Sequence, residues 1–478
     1  MRGVRSVHFV GIGGAGMSGI AEVLLREGLE VTGSDLVASA ATRHLTSLGA
    51  TTRVGHSTAA FDAGVTPDVV VTSSAIPADN AEVERARERG IPVIPRAQML
   101  GELMRHRIGI AVAGAHGKTT SASMIAAVFA EAGLDPSYVI GGRLLRPATD
   151  EAGEGSVSGA ALGSGAHMIA EADESDASFL HLHPTLAVVT NIDRDHLEAY
   201  GQDFAHLRRA FVDFLHRLPF YGLAIVGIDE PPGRALASEV DRPLRSFGFS
   251  RDADFRATDV KAVDGRSRFL AQRRGHPELE LHLPTPGRHN VLNALAAVAV
   301  ASEEGIDDDA IVRGLASFGG VERRFQLSDR SIAGHPVTLV DDYGHHPAEV
   351  AQVVATARAL WPARRLVMVY QPHRYTRTRD LFDDFVAVLG QTDELVLLDV
   401  YAAGEPVLAD VGGRVLARAV CRGGKIAPSF ADSLEQAAQL LRERIQDGDI
   451  LLVQGAGDIE HLPRMLERVQ RPEGSRGA

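Results

Sequence analysis

A glycine-rich run with one lysine and two threonines lies between a predicted buried strand at 108–113 and a predicted helix at 121–132. In this arrangement backbone N–H groups and the helix dipole face a bound phosphate, Lys118 neutralises it, and the Thr119 hydroxyl can bind Mg²⁺. We therefore predict a nucleoside triphosphate site, although Val112 stands where a longer phosphate loop has glycine. The predicted phosphate-contacting residues are Gly114, Ala115, His116, Gly117, Lys118, Thr119 and Thr120.

A second glycine motif lies near the N-terminus. Residues 11–16 match the pattern G-x-G-x-x-G between a predicted strand at 7–10 and a predicted helix at 17–26, and Asp35 ends the next strand. Glycines in this position let the backbone approach a diphosphate at a helix N-terminus. A dinucleotide and a nucleotide-sugar diphosphate fit the motif equally well, and a tight turn that needs glycine for packing is the alternative.

Acidic residues follow the predicted strand at 167–170. At the carboxyl end of a strand, Glu171, Asp173 and Asp176 can hold Mg²⁺ directly or through water. Such a run can also be a solvated loop. The next predicted strand is followed by His196, which we consider as a ligand of a second Mg²⁺, an unusual choice for a hard cation. The neighbouring phosphate loop makes Glu171 the favoured metal ligand.

Two further polar sites lie at element and domain boundaries. Asn290 starts a predicted buried helix at 290–304, where it can cap the helix or contact a purine edge. Arg323 and Arg324 lie at the second predicted domain boundary. A hinge arginine there can reach a transferring phosphate, since its planar donors suit phosphoryl oxygens. A solvated charge pair is the alternative.

Two polar runs in the last third of the chain, 341–347 and 373–379, each follow a predicted strand. Open parallel sheets place their ligands at such strand ends. The second run carries three arginines in an acidic protein, which indicates a binding site for a carboxylate or a phosphate. The first run has the aspartates and histidines of a metal site, but nearby arginines would repel a cation. We predict an amino-acid pocket.

The composition is typical of a globular protein, with 45% hydrophobic and 23% charged residues among 478. A net charge of -13 argues against a general nucleic-acid or anionic-membrane binder. The lone cysteine, Cys421, excludes an internal disulfide framework and is expected to be a small apolar filler. Since neither a signal peptide nor a run of about 20 apolar residues occurs, we expect a cytoplasmic protein without membrane insertion. A monomer or homodimer is expected.

Alternating strand and helix patterns predict three α/β domains with parallel sheets. A shorter, more polar alternation after residue 252 predicts a small antiparallel addition. We expect a surface loop in the Gly/Ser-rich stretch 153–165 and disorder in the tail from residue 471. The predicted domains cover 1–107, 108–321 and 322–478.

Together these motifs resemble the Mur ligase family, and within it the members that add L-alanine to UDP-N-acetylmuramate in peptidoglycan synthesis. The resemblance spans essentially the whole chain. It implies a Rossmann-like N-terminal domain for the UDP-sugar, a P-loop ATPase-type central domain for ATP and Mg²⁺, and a Rossmann-like C-terminal domain for the amino acid. The segments that carry it are 8–19, 114–120, 171–176, 341–347, 371–379 and 401–405.

The resemblance also implies a mechanism and a role for each site residue. The lactyl carboxylate of the sugar attacks the γ-phosphate of ATP, and the amine of L-alanine takes the acyl group, so that ADP and phosphate leave. The implied UDP-sugar contacts are Gly13, Gly14, Ala15, Gly16, Met17, Ser18, Asp35 and Ser73. Asn290 would contact adenine, and Thr119, Glu171 and His196 would hold metal. The implied alanine pocket consists of Tyr343, His345, Arg374 and Arg377, and the implied catalytic residues are Lys118, His196, Arg323 and His345.

One departure and three alternatives stay open. Several members of the family bridge their metals with a carbamylated lysine, but no lysine occurs here between Lys118 and Lys261. A nicotinamide-dependent oxidoreductase would explain the first glycine motif and Asp35, and leaves Lys118 without a role. A ligase that attaches a preformed tripeptide to the same sugar nucleotide, and a non-catalytic UDP-sugar sensor that uses ATP as a switch, are the others.

Overall fold

The computed structural model describes residues 3–58, 61, 66–145, 156–263, 265–408 and 410–467. The chain forms two compact units. The first consists of Met1–Lys261, Arg266–Pro284 and His289–Val321, and the second of Ala262–Gly265, Thr285–Arg288 and Glu322–Ala478.

The first unit begins with a five-stranded sheet in the order β3-β2-β1-β4-β5, in which every pairing is parallel. Within the described residues, helices alternate with the strands except between β3 and β4, much as the sequence predicts. The strands are β1 (Ser6–Val10), β2 (Glu30–Asp35), β3 (Thr51–Val54), β4 (Val69–Thr72) and β5 (Val93–Pro95). The helices are α1 (Ala15–Arg26), α2 (Ala40–Ser47), α3 (Ala81–Glu88) and α4 (Arg96–Met104).

The rest of the first unit is built on a ten-stranded sheet in the order β10-β7-β11-β6-β12-β13-β14-β15-β16-β17. Its strands and those of a separate two-stranded sheet, β8-β9, are β6 (Ile108–Ala113), β7 (Ser137–Val139), β8 (Leu144–Leu145), β9 (Ser156–Val157), β10 (Ala160–Ala161), β11 (His167–Glu171), β12 (Leu186–Val189), β13 (Leu223–Gly227), β14 (Leu244–Gly248), β15 (Phe255–Val263), β16 (Arg266–Arg273) and β17 (His276–Leu283). The helices are α5 (Lys118–Glu131), α6 (Phe204–Leu215), α7 (Pro231–Glu239), α8 (Arg288–Glu303) and α9 (Asp308–Ala316).

This sheet places the predicted phosphate loop at its centre. The strand β6 lies between β11 and β12 and is parallel to both. Because the carboxyl ends of parallel strands meet at one edge, the segments after the three strands lie side by side. The predicted antiparallel addition is confirmed by the pairing of β16 with β17. The predicted burial of the helix at 290–304 is confirmed for most of α8.

The two sheets of the first unit share one hydrophobic core cluster, which includes Leu24 and Leu100 from the first part and Val139 and Phe179 from the second. Glycines allow the close approach. A methyl group at Gly101 of α4 would lie 2.6 Å from a backbone oxygen, a distance that would force the helix away from its neighbour. The first two predicted domains therefore pack as one compact body.

The second unit contains a six-stranded sheet in the order β18-β19-β23-β20-β21-β22. Its strands are β18 (Gln326–Ile332), β19 (His335–Asp342), β20 (Leu366–Tyr370), β21 (Glu394–Leu398), β22 (Ser429–Ala431) and β23 (Ile450–Gln454). The helices are α10 (Pro347–Leu360), α11 (Tyr375–Asp380), α12 (Phe382–Leu389), α13 (Gly413–Arg422), α14 (Leu434–Arg444) and α15 (Leu462–Glu467).

Several expectations for elements need correction. The second unit is not purely parallel, because the polar edge strand β18 pairs antiparallel with β19. Cys421, next to the last residue of α13, is exposed and does not fill the core. The stretch 156–165 contains β9 and β10 rather than a loop alone, while 153–155 and the tail from 471 lie outside the described residues. Within the described residues, no helix is both long enough and apolar enough to cross a membrane.

Candidate active site

The phosphate loop follows β6 and turns sharply into α5. Gly114 has φ 130° and Gly117 has φ 83°, both in the region that favours glycine. A methyl group at Gly114 would lie 2.1 Å from Thr190 Oγ1, and one at Gly117 would lie 2.3 Å from Asn293 Oδ1. Both glycines are therefore required by backbone conformation and by close neighbours.

The end of β12 holds the loop in shape. The carbonyl of His116 accepts hydrogen bonds from Thr190 Oγ1 at 2.6 Å and from Asn191 Nδ2 at 2.9 Å. The backbone N–H of His116 donates to Asn191 Oδ1 at 2.9 Å, and its imidazole Nε2 lies 3.0 Å from Asp193 Oδ2. The loop is therefore fixed from the side opposite to the acidic segment after β11.

Lys118 is the first residue of α5, and its ammonium lies inside the loop. The Nζ atom donates to the carbonyl of Gly114 at 2.7 Å and to Glu174 Oε1 at 3.0 Å. Burial alone would lower the pKa of Lys118, but the carboxylates of Glu174, Glu171 and Asp173 together raise it. Burial raises the pKa of Glu174 to about 7 against the opposing charge of Lys118. The lysine is a permanent cation held by a buried acid.

The predicted metal ligands Thr119 and Glu171 are brought together. The Thr119 hydroxyl donates to the two carboxylate oxygens of Glu171 at 3.0 and 3.1 Å. The backbone N–H of Gly141 also donates to Glu171 Oε2, at 2.8 Å. Three oxygens, one from Thr119 and two from Glu171, thus converge beside the phosphate loop. Oxygen is the ligand atom that Mg²⁺ prefers.

His196 lies after the neighbouring strand β12, in a left-handed backbone conformation with φ 56°. Its Nε2 lies 3.5 Å from Asp195 Oδ2. The short 3-10 helix that follows, Leu197–Tyr200, ends with a tyrosine hydroxyl that donates to the carbonyl of Glu174 at 2.5 Å. The segments after β11 and β12 are thereby tied together at the edge that carries the phosphate loop.

Asn290 is the third residue of α8, so the expectation that it caps this helix is wrong. It is buried, and its Oδ1 accepts from Asn293 Nδ2 at 3.3 Å. The same Asn293 accepts from Ser121 of α5 at 3.2 Å. The two asparagines, one turn apart, connect α8 to the helix that follows the phosphate loop.

The first glycine motif forms the turn from β1 into α1. Gly11 has φ 82°, and Asp35 Oδ2 accepts from the backbone N–H of Gly13 at 2.8 Å. A methyl group at Gly13 would lie 2.8 Å from the same carboxylate oxygen, and one at Gly16 would lie 2.8 Å from Arg96 Nη1. The predicted sugar-nucleotide residues Gly14, Ala15, Met17 and Ser18 lie at the start of α1, and Ser73 directly follows β4, the neighbour of β1.

In the second unit, four rings form a row at the carboxyl edge of the sheet. The ring of His345 lies 5.3 Å from the ring of Tyr343 and 5.3 Å from that of His373. His373 in turn stacks on Tyr401 at 5.6 Å with an interplanar angle of 13°. Two of the predicted amino-acid-binding residues, Tyr343 and His345, are therefore neighbours.

The predicted arginines Arg374 and Arg377 lie on the same side of this sheet. The backbone N–H of Arg374, which has φ 68°, donates to the carbonyl of Tyr401 at 2.9 Å. Thr376, one of the two residues between them, donates to Glu405 from its N–H at 3.0 Å and from its hydroxyl at 2.6 Å. The two sequence segments 371–379 and 401–405 are thus joined, and Arg377 is buried.

Arg323 is held within the second unit. Its Nε donates to Asp341 Oδ1 at 3.0 Å, and its Nη2 donates to the carbonyl of Gly455 at 2.7 Å. Burial raises the pKa of Asp341, although Arg323 opposes this. The side chain of Arg323 is only 11% exposed, so the alternative of a solvated pair is wrong for this residue. Arg324 lies over the ring of Tyr343 at 5.2 Å.

Three residues that contact the site were not singled out from the sequence. Glu174 pairs with Lys118, Asn293 borders Gly117, and Arg96 borders Gly16. Their spacing carries a signal for the first two, because Glu174 follows Glu171 by three residues and Asn293 follows Asn290 by three. No local signal connects Arg96 to a loop 80 residues earlier in the chain.

Comparisons with known proteins agree with this architecture. The model of the Mur ligase family catalytic domain matches residues 6–108, the Mur ligase middle domain matches 112–301, and the glutamate ligase domain of Mur ligases matches 323–457. A UDP-N-acetylmuramate–L-alanine ligase from Variovorax paradoxus (strain S110) is 54% identical over 467 residues, which cover 96% of this chain and 94% of the relative.

Two more relatives extend the comparison. The UDP-N-acetylmuramate–L-alanine ligase from Paracidovorax citrulli (strain AAC00-1) is 52% identical and is matched over 98% of both chains. The crystal structure of the UDP-N-acetylmuramate–alanine ligase MurC from Thermotoga maritima superposes with a TM-score of 0.79 at 28% identity, covering 96% of this chain and 98% of that one. With three domain models that span most of its length and relatives above half identity, this chain belongs to the Mur ligase family.

Proposed function

We propose that the protein joins L-alanine to the lactyl carboxylate of UDP-N-acetylmuramate with the hydrolysis of ATP to ADP and phosphate. The observation that carries this proposal is the phosphate loop with Lys118 held by Glu174 and with Thr119 against Glu171. The similarity along almost the whole chain to ligases with this activity supports the choice of substrates.

ATP fits the loop between β6 and α5. Backbone N–H groups at the start of α5 and the ammonium of Lys118 would bind its phosphates, and Asn290 would contact the adenine. Mg²⁺ fits the oxygens of Thr119 and Glu171, and His196 would be a ligand of a second Mg²⁺. When bound, the ion would neutralise charge that develops on the transferred phosphoryl group.

The first step needs positioning and neutralisation more than covalent help. A carboxylate oxygen of the sugar attacks the γ-phosphorus, the bond to the β-phosphate oxygen breaks, and ADP leaves. In this step Lys118 would stabilise the charge on the phosphoryl oxygens. Arg323 is the second predicted candidate for this role.

The amino acid is proposed to bind in the second unit. The guanidinium groups of Arg374 and Arg377 would bind the carboxylate of L-alanine, beside Tyr343. The 3.2 Å contact from His345 Nδ1 to the carbonyl of Tyr343 supports a tautomer with the proton on Nδ1, because a carbonyl only accepts. In that tautomer Nε2 would accept the proton of the amine.

The remaining assignments stay predictions. The proposed domains are 1–107 for the sugar nucleotide, 108–321 for ATP and 322–478 for the amino acid. In the first, residues 13–18, Asp35 and Ser73 would contact the UDP-sugar. A cytoplasmic location and a monomeric or homodimeric state are likewise expected.

The test is phosphate release from ATP with UDP-N-acetylmuramate, Mg²⁺ and a panel of acceptors. Release that requires both the sugar nucleotide and L-alanine is the expected result. Release only with the tripeptide L-alanyl-γ-D-glutamyl-meso-diaminopimelate would make the protein a recycling ligase. Absence of release with every acceptor would favour a UDP-sugar sensor, and nicotinamide-dependent absorbance changes would favour an oxidoreductase.

A further inference from the structure

Arg96 is far from α1 in the sequence, but its side chain lies against the start of that helix. It is the first residue of α4, and its Nη1 would be 2.8 Å from a methyl group at Gly16, with Cζ at 3.3 Å. The guanidinium therefore rests on the last glycine of the G-x-G-x-x-G motif. The absence of a side chain at Gly16 is what makes room for it.

Asp173 fixes this guanidinium from the second sheet of the same unit. Arg96 Nη2 donates to Asp173 Oδ2 at 2.5 Å, and the other carboxylate oxygen accepts from the backbone N–H of Ser175 at 3.0 Å. Asp173 lies between Glu171 and Glu174, both of which contact the start of α5.

The motif itself supplies no positive side chain. Residues 11–18 contain neither lysine nor arginine, whereas a diphosphate carries at least two negative charges. The helix dipole and backbone N–H groups compensate part of that charge. Arg96 is a guanidinium in contact with the motif, and its planar donors suit two phosphate oxygens at once.

We propose that Arg96 binds the diphosphate of the sugar nucleotide and that Asp173, from the segment that serves the ATP site, is the positioning residue for its guanidinium. This inference rests on the proposed function. It means that the sugar-nucleotide site is completed by a residue of the neighbouring domain. Asp173 thus acts on UDP-sugar binding through Arg96, and its carboxylate is committed to that task rather than to metal.

The test is calorimetric binding of UDP and UDP-N-acetylmuramate to the full-length protein and its variants. Arg96→Gln is expected to raise the Kd for UDP and for UDP-N-acetylmuramate by about ten- to hundredfold, because it removes charge-assisted hydrogen bonds. The same variant is expected to lose the preference for UDP over UMP. Asp173→Asn is expected to raise the two Kd values by about three- to tenfold. The double variant is expected to bind no more weakly than Arg96→Gln alone.

Arg105 provides the matched control. Arg105 directly follows the C-terminal end of α4, its side chain is 55% exposed, and it pairs with Glu102. Arg105→Gln is expected to leave both dissociation constants unchanged. If Arg96→Gln does not fold, as checked by thermal unfolding, Arg96→Lys keeps the charge and is expected to weaken UDP binding about three- to tenfold.

Three outcomes would overturn the inference and leave the proposed function in place. Wild-type affinity for UDP-N-acetylmuramate in Arg96→Gln would remove Arg96 from the site. Additive effects of the two substitutions would show that Asp173 does not act through Arg96. An Asp173→Asn variant with a raised KM for ATP and unchanged UDP binding would assign the carboxylate to the phosphate loop alone. A wild-type protein that binds neither UDP nor UDP-N-acetylmuramate would instead contradict the proposed function, and the inference with it.

Discussion

Two glycine-rich loops of the first unit have the same local plan and different electrostatics. Both join a buried parallel strand, β1 or β6, to a helix. The loop before α1 contains no positive residue, and Arg96 reaches it from a separate helix. The loop before α5 carries its own lysine, balanced by the buried carboxylate of Glu174. The first arrangement suits an anion that is held, and the second suits a phosphoryl group whose charge changes as it moves.

The glycines of the two loops are required by different neighbours, which supports this division. At Gly13 and Gly16 an added methyl group would meet the side chains of Asp35 and Arg96. At Gly114 and Gly117 it would meet polar groups that shape the phosphate loop, and both backbones are left-handed or close to it. The same residue type thus makes room for a charged group in one loop and for a tight turn in the other.

The largest expected effect tests the second loop. Lys118→Ala removes the cation that would stabilise the transferring phosphoryl group, and ATP turnover should fall by about a thousandfold or more. Steady-state phosphate release measures it. Binding of UDP-N-acetylmuramate, followed by calorimetry, should stay at the wild-type level because the first loop does not use this lysine. A variant that keeps most of its turnover would contradict the assignment.

The next effect separates the two nucleotide loops from the amino-acid pocket. Arg377→Ala should raise the KM for L-alanine by about ten- to hundredfold and leave the KM values for ATP and UDP-N-acetylmuramate near their wild-type values. Arg379 is the control, because it is 53% exposed and pairs with Asp380; Arg379→Ala should change none of them. An unaltered KM for L-alanine in Arg377→Ala would place the pocket elsewhere.

The smallest effect concerns stability and pH. The pKa of Glu174 in the folded protein is about 7, above the ordinary value of 4.5. The folded protein therefore binds this proton more tightly than the unfolded chain. The resulting stabilisation is complete below about pH 4.5 and is lost as the pH rises through about 7.

Thermal unfolding of the wild type and of Glu174→Gln measures this loss. The Tm of the wild type, relative to the variant, should fall by about 2–4 °C between pH 5 and 8. No such change is expected for Glu102→Gln, whose carboxylate is on the surface and has a lowered pKa. A constant difference between wild type and Glu174→Gln across this range would show that Glu174 keeps its charge in the folded protein.

Much of the fold follows from local sequence. The strand Ile108–Ala113 has the predicted bounds because an apolar run that starts after a charged residue and ends at a glycine turn is typical of a buried strand. The contact of Thr119 with Glu171 also follows, since parallel neighbouring strands bring their carboxyl ends together. The strand β6, the glycine loop after it and the acidic residue Glu171 together suffice to locate the phosphate site.

Other features depend on tertiary contacts that local patterns do not encode. Arg96 and Asp173 are 77 residues apart and meet only after two sheets have packed. Asn290 has the residue type of a helix cap, but α8 begins two residues earlier and buries it. The polar edge strand β18 has a side open to solvent, so its composition resembles a loop.

The most direct test of the proposed reaction follows the carboxylate oxygen. UDP-N-acetylmuramate labelled with ¹⁸O in its lactyl carboxylate is incubated with the enzyme, ATP, Mg²⁺ and L-alanine, and the released phosphate is examined by mass spectrometry. If the carboxylate attacks the γ-phosphate and the amine then displaces phosphate from the acyl carbon, one ¹⁸O is transferred to each phosphate. Product formed with unlabelled phosphate would contradict an acyl-phosphate route.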